Sequence, residues 1–114
     1  MSGIQMALLG AAGLPPLTIV ISPGSLFNTR VGNGSLTSGT ATGSASGGSG
    51  TGYTYAWTYV SGDSYTINSP STAATTFTTS LIVGIPKSGV YRCTVTDSLS
   101  NTTNATITVQ MEAT

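Results

Sequence analysis

Two strand-like segments that lie far apart in the sequence constrain the fold more than any other feature of this chain. In the segment 53–60 every second residue is aromatic, with Trp57 near the centre. In the segment 89–96 every second residue is apolar, around Tyr91 and Cys93. Strict alternation places the apolar side chains on one face of a strand. The pattern therefore predicts two long strands that each bury one face in a common core.

The same period-two pattern recurs in shorter segments. The β-branched residues 17–21 predict a first strand. In 75–81 the inward positions fall on Phe77 and Leu81. A last strand turns three residues inward: Ala105, Ile107 and Val109. Turn signals separate these segments, and Asn33-Gly34 is of the kind that makes tight hairpins.

The Gly/Ser-rich stretch 39–52 resembles a linker that would divide the chain. Residues 40–46 alternate strictly, however, with small residues on one face, so we interpret them as a strand and only 47–52 as a loop. Because glycine weakens a strand, a bulky residue should lie opposite this small face, and Trp57 is the candidate. About seven short strands predict an all-β antiparallel sandwich rather than βαβ units.

The strongest motif resembles one found in immunoglobulin-like domains. The segment 88–93 matches the G-x-Y-x-C motif of their sixth strand, with Tyr91 two residues before Cys93, and Trp57 matches their core tryptophan. Ala45 stands where that family has its second cysteine, so no bridge can form. The chain therefore resembles the bridge-less bacterial and phage branch of the family, or the related PKD-type sandwiches. The resemblance implies an immunoglobulin-like sandwich with Ala45, Trp57, Tyr91 and Cys93 as its core signature.

The length of 114 residues suits one domain. We expect an N-terminal docking arm and hinge over residues 1–16, closed by the stiff pair Pro15-Pro16, and the sandwich over residues 17–114. The arm lacks the positive charge of a signal peptide and is too short to span a membrane. An atypical signal or a disordered leader are the alternatives. The candidate partner-docking residues are apolar: Ile4, Met6, Leu8, Leu9 and Leu14.

Charge is scarce in this chain. Only 5% of residues are charged and the formal net charge is zero. Nucleic-acid binding requires clustered Lys and Arg, so we expect no nucleic-acid partner, and no membrane partner either. A low net charge favours association. The composition favours a protein of a fixed assembly or of the extracellular space, and a plain secreted β domain is the alternative.

The sequence offers little for catalysis. It contains no histidine, which removes the commonest general base and metal ligand. Cys93 has the inward phase of a buried thiol, not of a nucleophile. Asp63 and Asp97 fall in turns, where hydrogen bonding to the backbone explains each. We therefore expect no enzyme activity, no catalytic residue, no cofactor and no metal site.

The tyrosines offer one candidate ligand surface, since aromatic faces stack on the apolar faces of sugars. The candidate glycan contacts are Tyr53, Tyr59 and Tyr65. The alternative, which we favour, is that the middle of the aromatic row is core and only its ends lie at the rim.

A second resemblance concerns the whole chain. A short apolar arm, a Gly/Thr/Ser-rich body and one immunoglobulin-like domain are similar to small virion proteins of tailed bacteriophages. This implies a non-enzymatic structural protein of the virion, a capsid decoration or tail-associated subunit in many copies or a homo-oligomer, whose partners are other virion proteins. The alternative is a carbohydrate-binding or adhesion module of a secreted or cell-surface protein, with a host-surface glycan as its partner.

Overall fold

The computed structural model describes residues 14–114, and within them every regular element is a β-strand. This agrees with the all-β prediction. The predicted docking residues Ile4, Met6, Leu8 and Leu9 lie outside the described residues, whereas Leu14 lies within them and is half-buried. The strands are β1 Thr18–Ser22, β2 Ser25–Arg30, β3 Gly34–Thr37, β4 Ala41–Ser46, β5 Thr54–Gly62, β6 Thr66–Ile67, β7 Ala74–Thr75, β8 Phe77–Leu81, β9 Lys87–Thr96 and β10 Thr102–Ala113.

One layer of the sandwich is a four-stranded sheet in the order β2-β10-β9-β5. Strands β9 and β10 form a long antiparallel hairpin, and β5 pairs antiparallel with β9, with Trp57 opposite Cys93. Strand β2 runs parallel to β10, which places Phe27 opposite Gln110. A register shift interrupts β5 between Tyr59 and Ser61.

The second layer consists of two three-stranded ladders, β1-β4-β7 and β3-β8-β6. Strands β3 and β4 are separated by three residues, and β7 and β8 by one. At this break the amide of Ser38 donates to the carbonyl of Phe77 at 2.7 Å, and the Ser38 hydroxyl accepts from the Phe77 amide at 3.0 Å. The two ladders therefore form one layer with a local interruption.

The interruption explains why the strand count differs from the prediction of about seven. The predicted strands 40–46 and 75–81 are each part of a longer strand that is broken once. Strand β2 was not predicted, because its adjacent apolar residues Leu26 and Phe27 show no period of two. The expectation of a tight hairpin at Asn33-Gly34 was wrong, since the turn there joins β2 of one layer to β3 of the other.

Aromatic residues dominate the core. The ring centroid of Phe77 lies 4.8 Å from that of Tyr91 and 6.1 Å from that of Trp57, in tilted and edge-on arrangements. These are the geometries that aromatic pairs prefer. Aliphatic residues of β8, β9 and β10 complete the buried cluster: Leu81, Val95, Ile107, Val109 and Met111. The predicted inward phases of these strands are correct.

The small face of β4 packs closely on the core at Gly43, where the nearest side chains are those of Cys93 and Ile19. A Cβ atom added to Gly43 would lie 3.2 Å from Cys93 Sγ and 3.2 Å from Ile19 Cδ1. A side chain larger than glycine would therefore require the thiol and the aliphatic side chain to shift by a few tenths of an ångström.

Loops gather at the two ends of the sandwich. At the end that we call the arm end, the amide of Gly48 donates to the carbonyl of Pro15 at 2.9 Å, and that of Ser98 donates to the carbonyl of Thr51 at 3.2 Å. At the opposite end, the distal end, Gly32 donates to the carbonyl of Thr114 at 2.8 Å. The hinge and the last residue thus lie at opposite ends of the domain.

Candidate functional site

The three candidate glycan contacts do not form one surface. Tyr65 is only 6% exposed, its ring stacks 5.7 Å from that of Tyr91, and its hydroxyl donates to the carbonyl of Val109 at 2.9 Å. Burial, followed by the negative charge of Asp63, raises the pKa of Tyr65 to about 12. The expectation that Tyr65 is accessible was wrong, because the strand it precedes has only two residues and shows no phase in the sequence.

The other two tyrosines have hydroxyls that are already engaged. Tyr53 is half-buried, and its hydroxyl donates to the carbonyl of Gly47 at 2.8 Å. Tyr59 is 51% exposed, but its hydroxyl donates to the carbonyl of Gly62 at 2.7 Å and its ring lies 5.7 Å from that of Tyr91. Of the three, only Tyr59 offers a substantial accessible ring.

The residues of the core signature are held in place by packing and by hydrogen bonds within the domain. Trp57 is 2% exposed, and its Nε1 donates to the carbonyl of Thr72 at 2.9 Å. Tyr91 is fully buried and its hydroxyl accepts from the amide of Tyr65, while burial raises its pKa. Ala45 differs from the rest because it is only half-buried.

Cys93 is fully buried, and this burial raises the pKa of its thiol to about 11. A thiol is nucleophilic only as the thiolate, and access to the sulfur is also required. Both conditions fail at this position, so the geometry of Cys93 supports packing rather than catalysis.

Asp97 organises the arm end. Burial alone would raise its pKa, but hydrogen bonds from the side chain of Asn101 and the amides of Ser49, Asn101 and Leu99 hold the pKa of this carboxyl at about 2. All four donors come from the two loops of that end. The hydrogen bonds of this carboxylate therefore stabilise the two loops, as the assignment of Asp97 to a turn predicted.

The distal end carries four exposed aliphatic residues that we name the distal apolar surface: Val31, Ile82, Val83 and Ile85. Their exposed fractions range from 50% at Val83 to 86% at Val31. The two loops that carry them are joined, because the amide of Val83 donates to Asn33 Oδ1 at 2.8 Å. These residues were not predicted as a site from the sequence, although Ile82-Val83-Gly84-Ile85 is an apolar run.

Both loops of the distal apolar surface are rigidly held. The amide of Ile85 donates to the carbonyl of Ile82 at 3.0 Å, and Gly84 has a φ of 86°, which only glycine adopts without strain. Arg30 supports the other loop, since its Nε donates to the carbonyl of Gly32 at 3.0 Å. The apolar side chains are thus presented to solvent by ordered turns.

Within residues 14–114, no three potential metal-ligating side chains lie together. The same residues contain no helix that is long and apolar enough to cross a membrane.

Comparison with known proteins connects the chain to one family. The K319L-like PKD domain model matches residues 35–111, about two thirds of the chain. A solved structure described as a nucleoside hydrolase-related hypothetical protein from Saccharophagus degradans, associated with carbohydrate metabolism, has the same fold at a TM-score of 0.56 and 16% identity. That likeness covers 90% of this chain and 26% of the other. No curated protein matches the sequence.

Proposed function

The chain belongs to the family of K319L-like PKD domains, and from this membership we propose that it is a non-enzymatic structural module that works by holding partner proteins. The observation that carries the proposal is the distal apolar surface, four exposed aliphatic side chains on two ordered turns. Clustered exposed apolar residues mark interaction sites on soluble domains.

The size of the surface indicates how such a contact would be used. Full burial of an aliphatic side chain contributes about 1.5–3 kcal/mol, so burying the exposed parts of these four would contribute roughly 4–7 kcal/mol. Association itself costs about 4–15 kcal/mol in lost freedom of motion. One such contact is therefore weak, and the surface suits an assembly in which each copy makes a second contact elsewhere.

The second contact that we propose is the N-terminal arm. Pro15, which follows the proposed arm in the sequence, lies at the end of the domain opposite the distal apolar surface. A subunit held at both ends suits a multi-copy particle. More specifically, we propose that the chain is a subunit of a tailed-phage virion, located on the capsid or tail. It would dock through the apolar residues Ile4, Met6, Leu8, Leu9 and Leu14.

Sedimentation of material from the native source tests this role. We expect the chain to comigrate with a particle of virion size in a density gradient. Removing residues 1–13 or introducing Val83→Asp with Ile85→Asp should strongly reduce incorporation. Val20→Asp is the matched control, because Val20 is 65% exposed and lies outside the distal apolar surface. Sedimentation as a free monomer would contradict the proposal.

A second candidate function is carbohydrate binding by a secreted or cell-surface adhesion module. The observation that favours it is an aromatic ring presented on a polar sheet face, that of Phe27, which is 61% exposed. Sugar-binding surfaces combine such a ring with hydrogen-bonding side chains. Binding of oligosaccharides to the purified chain tests this function separately from assembly.

A further inference from the structure

The outer face of the four-stranded sheet holds a shallow depression of about 260 Å³ near the distal end. Polar side chains and one aromatic ring surround it: Phe27, Asp63, Lys87, Ser88, Gln110 and Glu112. It contains two of the chain's three acidic residues, which the sequence had placed far apart. The two acidic residues converge because β9 pairs with β5, which Asp63 follows, on one side and with β10, which carries Glu112, on the other.

A single row across three strands forms the floor of the depression. Gln110 of β10 pairs with Phe27 of β2 on one side and with Ser88 of β9 on the other. Neighbouring strands are about 4.8 Å apart, so Phe27 and Ser88 are separated by roughly 10 Å. The row thus presents an aromatic ring, an amide and a hydroxyl in sequence along a flat path.

The carboxylates of Asp63 and Glu112 lie beside this row. Asp63 is anchored, because its Oδ2 accepts from the amide of Ser88 at 2.8 Å and its own amide donates to the carbonyl of Ser88 at 2.8 Å. Glu112 lies two residues after Gln110 and so faces the same side of β10. Within residues 14–114, the side chains of Gln110 and Glu112 make no hydrogen bond, which leaves their polar atoms available to a ligand.

We propose that this depression binds an uncharged pyranose oligosaccharide, whose apolar ring face stacks on Phe27 while its hydroxyls bond to Gln110, Asp63 and Glu112. The inference rests on the second candidate function and does not depend on the assembly role. An exposed aromatic ring beside amide and carboxylate groups fits a ligand with one apolar face and many hydroxyls.

The charges of the depression select among sugars. Two carboxylates line the depression, whereas Lys87 is opposite the buried Met111 and its Nζ donates to the Thr79 hydroxyl of the other layer at 3.0 Å. The remaining negative charge repels uronic and sulfated sugars. Uncharged sugars are not repelled, so they can stack on the aromatic ring while their hydroxyls donate hydrogen bonds to the carboxylates.

Titrations of the full chain, followed by ¹H–¹⁵N NMR, test the proposal. The probes are cellohexaose, mannohexaose and chitohexaose, with a hexamer of galacturonic acid as the charged comparison. We expect at least one uncharged probe to give saturable shifts at the amides of Phe27, Ser88 and Gln110. The acidic hexamer should bind at least tenfold more weakly.

Two variants locate the site. Phe27→Ala should raise the dissociation constant at least tenfold, with the dispersion of the spectrum unchanged because the ring is exposed. Tyr59→Ala is the matched control, since Tyr59 is a half-exposed aromatic residue outside the depression, and it should change binding less than twofold.

Different failures have different meanings in this experiment. Shifts that cluster around Tyr59, or an unchanged dissociation constant for Phe27→Ala, would overturn the site while keeping carbohydrate binding. Absence of shifts with all three uncharged probes would overturn both. Equal binding of the acidic hexamer would overturn the assignment of ligand class.

Discussion

The hydroxyl of Tyr91 should contribute measurably to stability although it takes no part in any site. It accepts a hydrogen bond from the amide of Tyr65 and donates to the carbonyl of Asp63 at 3.3 Å. The substitution Tyr91→Phe keeps the buried ring and its contacts with Phe77 and Tyr65. It therefore isolates the hydroxyl.

The magnitude follows from the partners that the hydroxyl leaves behind. The amide of Tyr65 loses its acceptor in a buried environment, and an unsatisfied buried donor costs about 1–3 kcal/mol. We expect Tyr91→Phe to lower the free energy of unfolding by that amount. For a domain of this size each kcal/mol lowers the melting temperature by roughly 4–8 °C.

Urea unfolding followed by tryptophan fluorescence measures this change, because Trp57 is the only tryptophan and is buried. The control is Tyr59→Phe, whose hydroxyl is exposed and bonds to the carbonyl of Gly62. We expect the control to stay within about 0.5 kcal/mol of the parent. Equal stabilities of Tyr91→Phe and Tyr59→Phe would refute the reasoning that burial sets the cost.

Two further predictions concern stability. The pKa of Asp97 is about 2 in the folded chain against an ordinary value of 3.8, so its contribution to the free energy of unfolding is complete above about pH 4 and is lost as pH falls through 2. Asp97→Asn should make the urea midpoint vary less with pH over that range, and an unchanged pH profile would contradict this. Trp57→Ala removes a side chain that is 2% exposed and bonded to Thr72, so chemical denaturation should show a loss of about 3–5 kcal/mol, and a loss below 1 kcal/mol would contradict its core position.

Alternation in the sequence was sufficient for the strands that form the centre of the sandwich. Strands β9 and β10 alternate regularly, and β8 has apolar residues at both ends of its inward face, so the inward positions of Phe77, Cys93 and Ile107 could be predicted from local sequence alone. The role of Asp97 was also local, because three of its four donor groups lie within four residues of it.

Short or irregular strands could not be predicted in the same way. In β2, Leu26 and Phe27 are adjacent apolar residues, and a period of two cannot say which of them faces the core. Pairing with β10 turns Leu26 inward and leaves Phe27 exposed. Tyr65 is buried for a comparable reason, since the hydroxyl of Tyr91 binds its backbone from a distant strand.

The sequence by itself determined the fold class, the core faces of the long strands and the scarcity of catalytic groups, because these depend on composition and on local periodicity. Only the tertiary structure decided which surfaces the domain presents. Phe27, Ser88 and Gln110 come from three strands, and Val31 and Val83 from two loops more than fifty positions apart, so each cluster exists only once the strand register is set. The pattern within one strand shows which face is buried, but it does not show which residue of a distant strand lies opposite, and long-range pairing decides that.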